Sequence, residues 1–145
     1  MHIRMAWTDE EITACYPVVQ ELRPHVDESD FLAVVRRQQR GGYRMAFVES
    51  TSREIVAVAG YRVSECLAWG RFLYVDDLIT RAEHRSAGYG AALLCWLREQ
   101  AREERCVQLH LDSGTQRRNA HRFYEREGLQ MTCYHYAVDV DASNP

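Results

Sequence analysis

Lysine is absent from this 145-residue chain, in which all 18 basic residues are arginine. That removes every mechanism needing an ε-amine, including Schiff-base chemistry and the lysine of a phosphate-binding P-loop. Long apolar runs are also missing: the longest is a few residues, far short of a membrane span, and the start Met1-His2-Ile3-Arg4 lacks the apolar core of a secretion signal. No membrane partner and a cytoplasmic location are therefore expected. No segment is strongly basic and the net charge is -3, so there is no electrostatic footprint for nucleic acid. The five cysteines (Cys15, Cys66, Cys95, Cys106, Cys133) are odd in number, scattered and never in a Cys-x-x-Cys pair. They suggest neither a disulfide framework nor a zinc site, and are expected to be reduced thiols serving as small core residues. His84, His110, His121 and His135 match no metal spacing, so no metal is expected.

What is present is an ordinary globular composition, 46% apolar and 27% charged, at a length that can bury one core. One domain over residues 1–145 is predicted, without repeats or linkers. Thr8 with Glu11 reads as a capping box opening a helix that runs at helical spacing to Pro24. A second helix is predicted over 30–40, ended by Gly41-Gly42. Residues 43–49 and 54–64, joined by a polar turn, read as a hairpin, and residues 72–80 as a further strand. From Gly88 the period becomes helical, with Ala91, Leu94, Leu97 and Ala101 on one face. Residues 106–111 alternate as a strand. A short helix carrying Ala120, Phe123 and Tyr124 ends at Gly128, residues 129–140 supply the last strand material, and the polar tail 141–145 is expected to fray.

The informative unit is the strand, turn and helix Leu78-Ile79-Thr80-Arg81-Ala82-Glu83-His84-Arg85-Ser86-Ala87-Gly88-Tyr89-Gly90-Ala91. Such a junction exposes backbone N–H groups at the positive end of a helix dipole, an anion site suited to a pyrophosphate. Gly88 and Gly90 lack a Cβ and let phosphate oxygens approach the main chain. Arg85 can add a charge-assisted contact. Read alone, the same glycines also fit a tight turn where helix and strand crowd together. Neither the P-loop nor the dinucleotide fingerprint fits, the first for want of Gly-Lys-Ser/Thr and the second because Leu93 stands where a third glycine is needed.

The segment Arg85-Ser86-Ala87-Gly88-Tyr89-Gly90 resembles the Arg/Gln-x-x-Gly-x-Gly/Ala signature of the GNAT superfamily of N-acetyltransferases. Ala120-His121-Arg122-Phe123-Tyr124-Glu125-Arg126-Glu127-Gly128-Leu129 is similar to a second element of that family, at the expected distance. The resemblance covers nearly the whole chain. It implies an α/β (α+β) fold with a mixed, mostly antiparallel sheet flanked by helices and splayed at the cofactor strand. It implies acetyl-CoA as co-substrate, with Leu78, Ile79 and Thr80 pairing its pantetheine arm and Arg85, Ser86, Ala87, Gly88, Tyr89, Gly90 and Ala91 holding its phosphates. Two departures stand out: Ser86 replaces a usual glycine, and Arg117 stands where the family often has an asparagine. Tyr124 matches the family's proton donor to the departing thiolate, although Phe123-Tyr124 also reads as packing under a sheet. The Ile79 amide is expected to polarise the thioester carbonyl.

Asp76 and Asp77 are neighbours on one strand, so their side chains are expected on opposite faces, with only one lining any groove. In related polyamine-type acetyltransferases an acidic pair occupies this place. That makes one of them a candidate general base, or an anchor for a cationic amine; local hydrogen bonds and a surface arginine are the alternative. Asp112 is a weaker candidate, and Trp69, Tyr74, Tyr134 and Tyr136 are candidate pocket walls or core. The expected function is transfer of an acetyl group to a primary amine of a small molecule by direct attack. The alternatives are acetylation of a protein N-terminus or lysine, and an acyl-CoA sensor without turnover. Dimers are common among similar proteins, so a homodimer is compatible with the resemblance.

Overall fold

The computed structural model describes residues 1–141; the expected fraying of the tail therefore falls, for residues 142–145, outside the described residues. The chain divides into two compact units, Met1–Leu111 and Asp112–Pro145.

In the first unit, strands β1 (His2–Met5), β2 (Arg44–Glu49), β3 (Ile55–Cys66), β4 (Gly70–Thr80) and β5 (Gln108–Leu111) form one sheet in chain order. Every pairing is antiparallel except β4 with β5, which is parallel. A parallel neighbour needs a crossover, and helix α4 (Tyr89–Glu103) supplies it. Helices α1 (Asp9–Ala14), α2 (Tyr16–Leu22) and α3 (Glu28–Arg40) fill the connection between β1 and β2. This is the mixed, mostly antiparallel, helix-flanked sheet that was expected.

The capping box at Thr8 forms: the Glu11 N–H donates to Thr8 Oγ1 at 3.1 Å, and the Thr8 N–H to Glu11 Oε2 at 3.1 Å. The single helix expected to run on to Pro24 is instead broken at Cys15, with Pro17 in the first turn of α2. Proline has no N–H, and its ring would strike the carbonyl four residues back in a continuous helix. Strand β1 was not anticipated, because four residues carry too little alternation to register.

The sheet separates two apolar cores. One, including Ile12, Tyr16, Phe31, Val35, Tyr43, Phe47, Val58 and Ile79, lies with α1 to α3. The other, including Val56, Tyr61, Leu73, Val75, Leu93 and Leu97, lies with α4. Of the cysteines only Cys15 is buried, and burial pushes its thiol up to about 12. Cys95 and Cys133 are exposed, which corrects the expectation that all five serve the core. Among the described residues no helix is long and apolar enough to cross a membrane.

The second unit holds helix α5 (Arg118–Arg126), closed by a hydrogen bond from the Leu129 N–H to the Tyr124 carbonyl at 2.9 Å. Residues 129–140 form no strand, contrary to expectation. Tyr134, Tyr136, Val138 and Val140 keep the alternation, yet they are 79% to 89% exposed. Alternation marks a strand only where a neighbour takes the backbone bonds and covers one face.

Candidate active site

The geometry begins with a bulge in β4. Along the pairing with β3, Gly60 faces Asp77 while Tyr61 faces Val75, leaving Asp76 as the extra residue. An extra residue shifts the two-residue period by one. Val75 and Leu78, three apart, consequently both pack toward the α4 core, and Ile79 turns to the other.

The bulge corrects the expectation that Asp76 and Asp77 take opposite faces, since both engage the cluster on the α1 to α3 side. Asp77 Oδ1 accepts from Arg23 Nε at 2.9 Å, and Oδ2 from the Tyr43 hydroxyl at 2.9 Å. Asp76 is gripped by Arg62, whose Nε lies 3.0 and 3.1 Å from the two carboxylate oxygens and whose Nη2 donates at 2.7 Å. The Arg62 guanidinium lies 5.7 Å from the Tyr43 ring centroid, tying the two ion pairs together. Arg23 Nη2 also donates to the Asp76 carbonyl at 2.9 Å, so one guanidinium spans both residues of the bulge. Burial first, then the Asp77 charge and hydrogen bond, holds the Tyr43 phenol well above its ordinary value. Gly60 makes this possible: a Cβ there would overlap the Tyr43 hydroxyl.

Beyond Val75, β4 keeps β3 on one side but has no strand partner on the other among the described residues, because the β5 pairing covers only Phe72 to Val75. This is the expected splay. The Arg81 N–H donates to the Val56 carbonyl at 2.9 Å. Counting back in twos, the Ile79 amide also turns to β3, while those of Leu78 and Thr80 turn to the open edge. Of the three residues expected to meet a pantetheine arm, Leu78 and Thr80 turn their amides to the open edge, whereas the amide of Ile79, the expected carbonyl donor, turns to β3.

After β4, a short 3-10 turn (Ala82–His84) leads through Arg85, Ser86 and Ala87 to Gly88, which caps α4 in the left-handed region at φ 85°. A side chain there would meet nothing within 4 Å, so the main chain stands open to a ligand. The first bond of α4 runs from the Ala92 N–H to the Gly88 carbonyl at 3.0 Å. Among the described residues, none of the amides of residues 86–91 donates to a protein acceptor. Arg85 is exposed and makes no ion pair among the described residues. An exposed row of unspent donors at a helix N-terminus, beside a free arginine, fits a diphosphate. Ser86 adopts φ 66°, which explains why glycine suits this place: a side chain there costs about 1–2 kcal/mol.

In the second unit, Tyr124 is half-buried on α5. Burial raises its phenol above the ordinary value, opposed by the Arg117 charge. Its ring lies 5.3 Å from that of Phe123. Asp112 Oδ1 lies 3.4 Å from His135 Nδ1. Trp69 stacks on His110 at 3.6 Å, and Tyr134 and Tyr136 are exposed.

One cluster escaped sequence reasoning because Glu54 is distant in the chain from Glu83 and His84. Glu54, Glu83 and His84 bring ligand atoms within 4.8 Å of one another. Arg81 pairs with both carboxylates, Glu54 and, at 3.4 Å, Glu83, and so already supplies positive charge there.

The Acetyltransferase (GNAT) family matches residues 6–129. The chain is 34% identical over 143 residues to YhdJ, an uncharacterized N-acetyltransferase of Bacillus subtilis, covering 97% of this chain and 99% of that one. It is 32% identical over 62 residues to aminoalkylphosphonate N-acetyltransferase of Salmonella typhimurium, covering 43% and 40%. Among solved structures, a transcriptional regulator from Bacillus halodurans superposes with a TM-score of 0.84 at 19% identity, over 95% of this chain and 98% of that one. With an open strand edge leading into an unsatisfied helix N-terminus, and a match over nearly its whole length, this chain belongs to the GNAT family of N-acetyltransferases, acyltransferases that use acetyl-CoA as co-substrate.

Proposed function

We propose that the acceptor is the primary amine of a small molecule, acetylated by direct attack in one catalytic domain that includes both units. The family match running from residue 6 to 129 supports treating them together. The observation that carries the cofactor assignment is the row of unspent amides at 86–91, placed directly after an open strand edge. The diphosphate would sit on those amides and Arg85, and the pantetheine arm along Leu78 and Thr80.

The chemistry needs an unprotonated amine, a donor for the developing oxyanion and a proton for the leaving thiolate. The amine nitrogen attacks the acetyl carbonyl carbon, whose oxygen gathers charge toward the Leu78 amide. The C–S bond then breaks, and the sulfur takes a proton from the Tyr124 hydroxyl, which is refilled from water. A phenol with a raised pKa is fully protonated at neutral pH, as a donor must be. The amine proton leaves by way of Asp77 and water. We assign this role to Asp77 because it lines a cavity; both carboxylates are held by arginines, Asp77 by Arg23 and Asp76 by Arg62.

Thiol release from acetyl-CoA in the presence of small amines tests this reading. Tyr124→Phe is expected to lower kcat about a hundredfold, within the range for a lost general acid, while the acetyl-CoA Kd stays put. Unchanged kcat with the best acceptor would remove Tyr124 from the mechanism. Release that occurs only with peptides would replace the small-molecule reading by protein acetylation.

A further inference from the structure

Sequence reasoning left the acidic pair as a base beside an amine, an anchor for a cationic amine, or a pair held by local hydrogen bonds and a surface arginine, and the bonds to Arg23, Tyr43 and Arg62 match the last arrangement. The structure distinguishes the first two by charge and by shape. Each carboxylate is already matched by its own arginine, Asp77 by Arg23 and Asp76 by Arg62. The pair therefore carries no uncompensated negative charge to draw in a second or third ammonium group.

Directly beside this cluster lies a cavity of about 170 Å³ beneath α2 and α3. Its wall is mixed: Val19, Val26, Phe31, Val34, Val35 and Met45 form the apolar side, and Arg23, His25, Gln38 and the bonded pair Tyr43 and Asp77 supply the polar groups. Apolar walls with a few placed polar groups are the usual makeup of a small-molecule pocket. The volume equals about five or six liquid-water volumes, which suits a branched aliphatic or benzylic group. Asp77, the residue of this cavity on β4, is followed at once by Leu78, whose amide faces the open edge. For an amine seated in the cavity to be acetylated, its nitrogen must pass Asp77 to reach that edge.

We propose that this cavity seats the body of the acceptor and selects primary monoamines bearing one compact apolar group over polycationic amines. The inference rests on the N-acetyltransferase reading above and deepens it by naming the acceptor class. Val34, which is only partly buried, is the wall position best able to accept a larger residue.

The test measures acetyl-CoA thiol release by the full chain with isoamylamine, benzylamine, spermidine and 2-aminoethylphosphonate, and acetyl-CoA binding by calorimetry. Isoamylamine or benzylamine should give the highest kcat/KM, at least about tenfold above spermidine, since apolar pocket contacts discriminate by that order. Val34→Phe should raise the KM of the preferred amine about tenfold while the acetyl-CoA Kd remains within about twofold. Should that variant fold poorly, Val34→Ala carries the test: it enlarges the cavity and should shift preference toward benzylamine. Spermidine or the phosphonate reacting fastest, or selectivity unmoved by the Val34 variants, overturns the inference. Acetyl-CoA bound without turnover of any of the four amines overturns it too, and leaves the cofactor reading standing. Failure to bind acetyl-CoA would instead sink the underlying N-acetyltransferase reading.

Discussion

Gly60 shows how much of the site hangs on a single missing Cβ. The Tyr43 ring lies against the β3 main chain only because residue 60 has no side chain, and from there its hydroxyl reaches Asp77 at 2.9 Å. Gly60→Ala must push the buried phenol aside, breaking that bond and straining the core around it. A destabilisation of about 1–3 kcal/mol is expected, from overpacking and from an unmade buried hydrogen bond. It should come with a raised amine KM and little change in acetyl-CoA affinity. Denaturant unfolding and steady-state kinetics check this, and a variant as stable as the parent would show that the ring does not need the space. None of this was legible in the sequence: Tyr43 and Gly60 read as ordinary hairpin residues, and their relation to Asp77 appears only when three strands are laid side by side. The turn at residues 85 to 91, by contrast, was legible as a glycine-opened helix N-terminus, because its shape depends on main-chain amides and on the local absence of side chains.

The bulge belongs to the element scale, and it accounts for the correction within β4. A strand read from sequence is assumed to alternate without interruption, which set Asp76 against Asp77. One inserted residue brings both to the same cluster. Insertion is invisible to a pattern count, since it is defined by the register against β3. Arg23, at the end of α2, binds the Asp77 side chain and the Asp76 carbonyl together, and it is the side chain that spans the bulged residues. Arg23→Met is expected to cost about 1–2 kcal/mol by leaving a carbonyl and a carboxylate short of a charged donor; the lower part of that range applies because the arginine is 41% exposed. It should also weaken acetyl-CoA binding, since the phase of Leu78 and Thr80 follows the bulge. A melt and a calorimetric titration decide it, with both values unchanged as the contrary result. The helices were easier to read: capping at Thr8 and the apolar stripe of α4 are short-range chemistry. Only the break at Pro17 was passed over.

For the molecule as a whole, composition excluded a great deal, and the absence of lysine excluded most sharply. Apart from β1 and the break between α1 and α2, the order of elements through β5 was recoverable from periodicity and turn chemistry, and the family match over residues 6–129 includes both motifs. Residues 129–140 mark the limit of such reading. Their alternation of Tyr134, Tyr136, Val138 and Val140 is real, but strand formation is a property of two segments, and one segment's sequence does not name its neighbour. The account depends most on the amides of residues 86–91 being free to take a diphosphate. Amide proton–nitrogen spectra of the isotopically labelled protein, titrated with acetyl-CoA, test this directly. The account expects the resonances of Ser86 through Ala91 to show the largest shifts, with Leu78 and Thr80 moving as well. Saturable acetyl-CoA binding that leaves the resonances of residues 86–91 in place would contradict it.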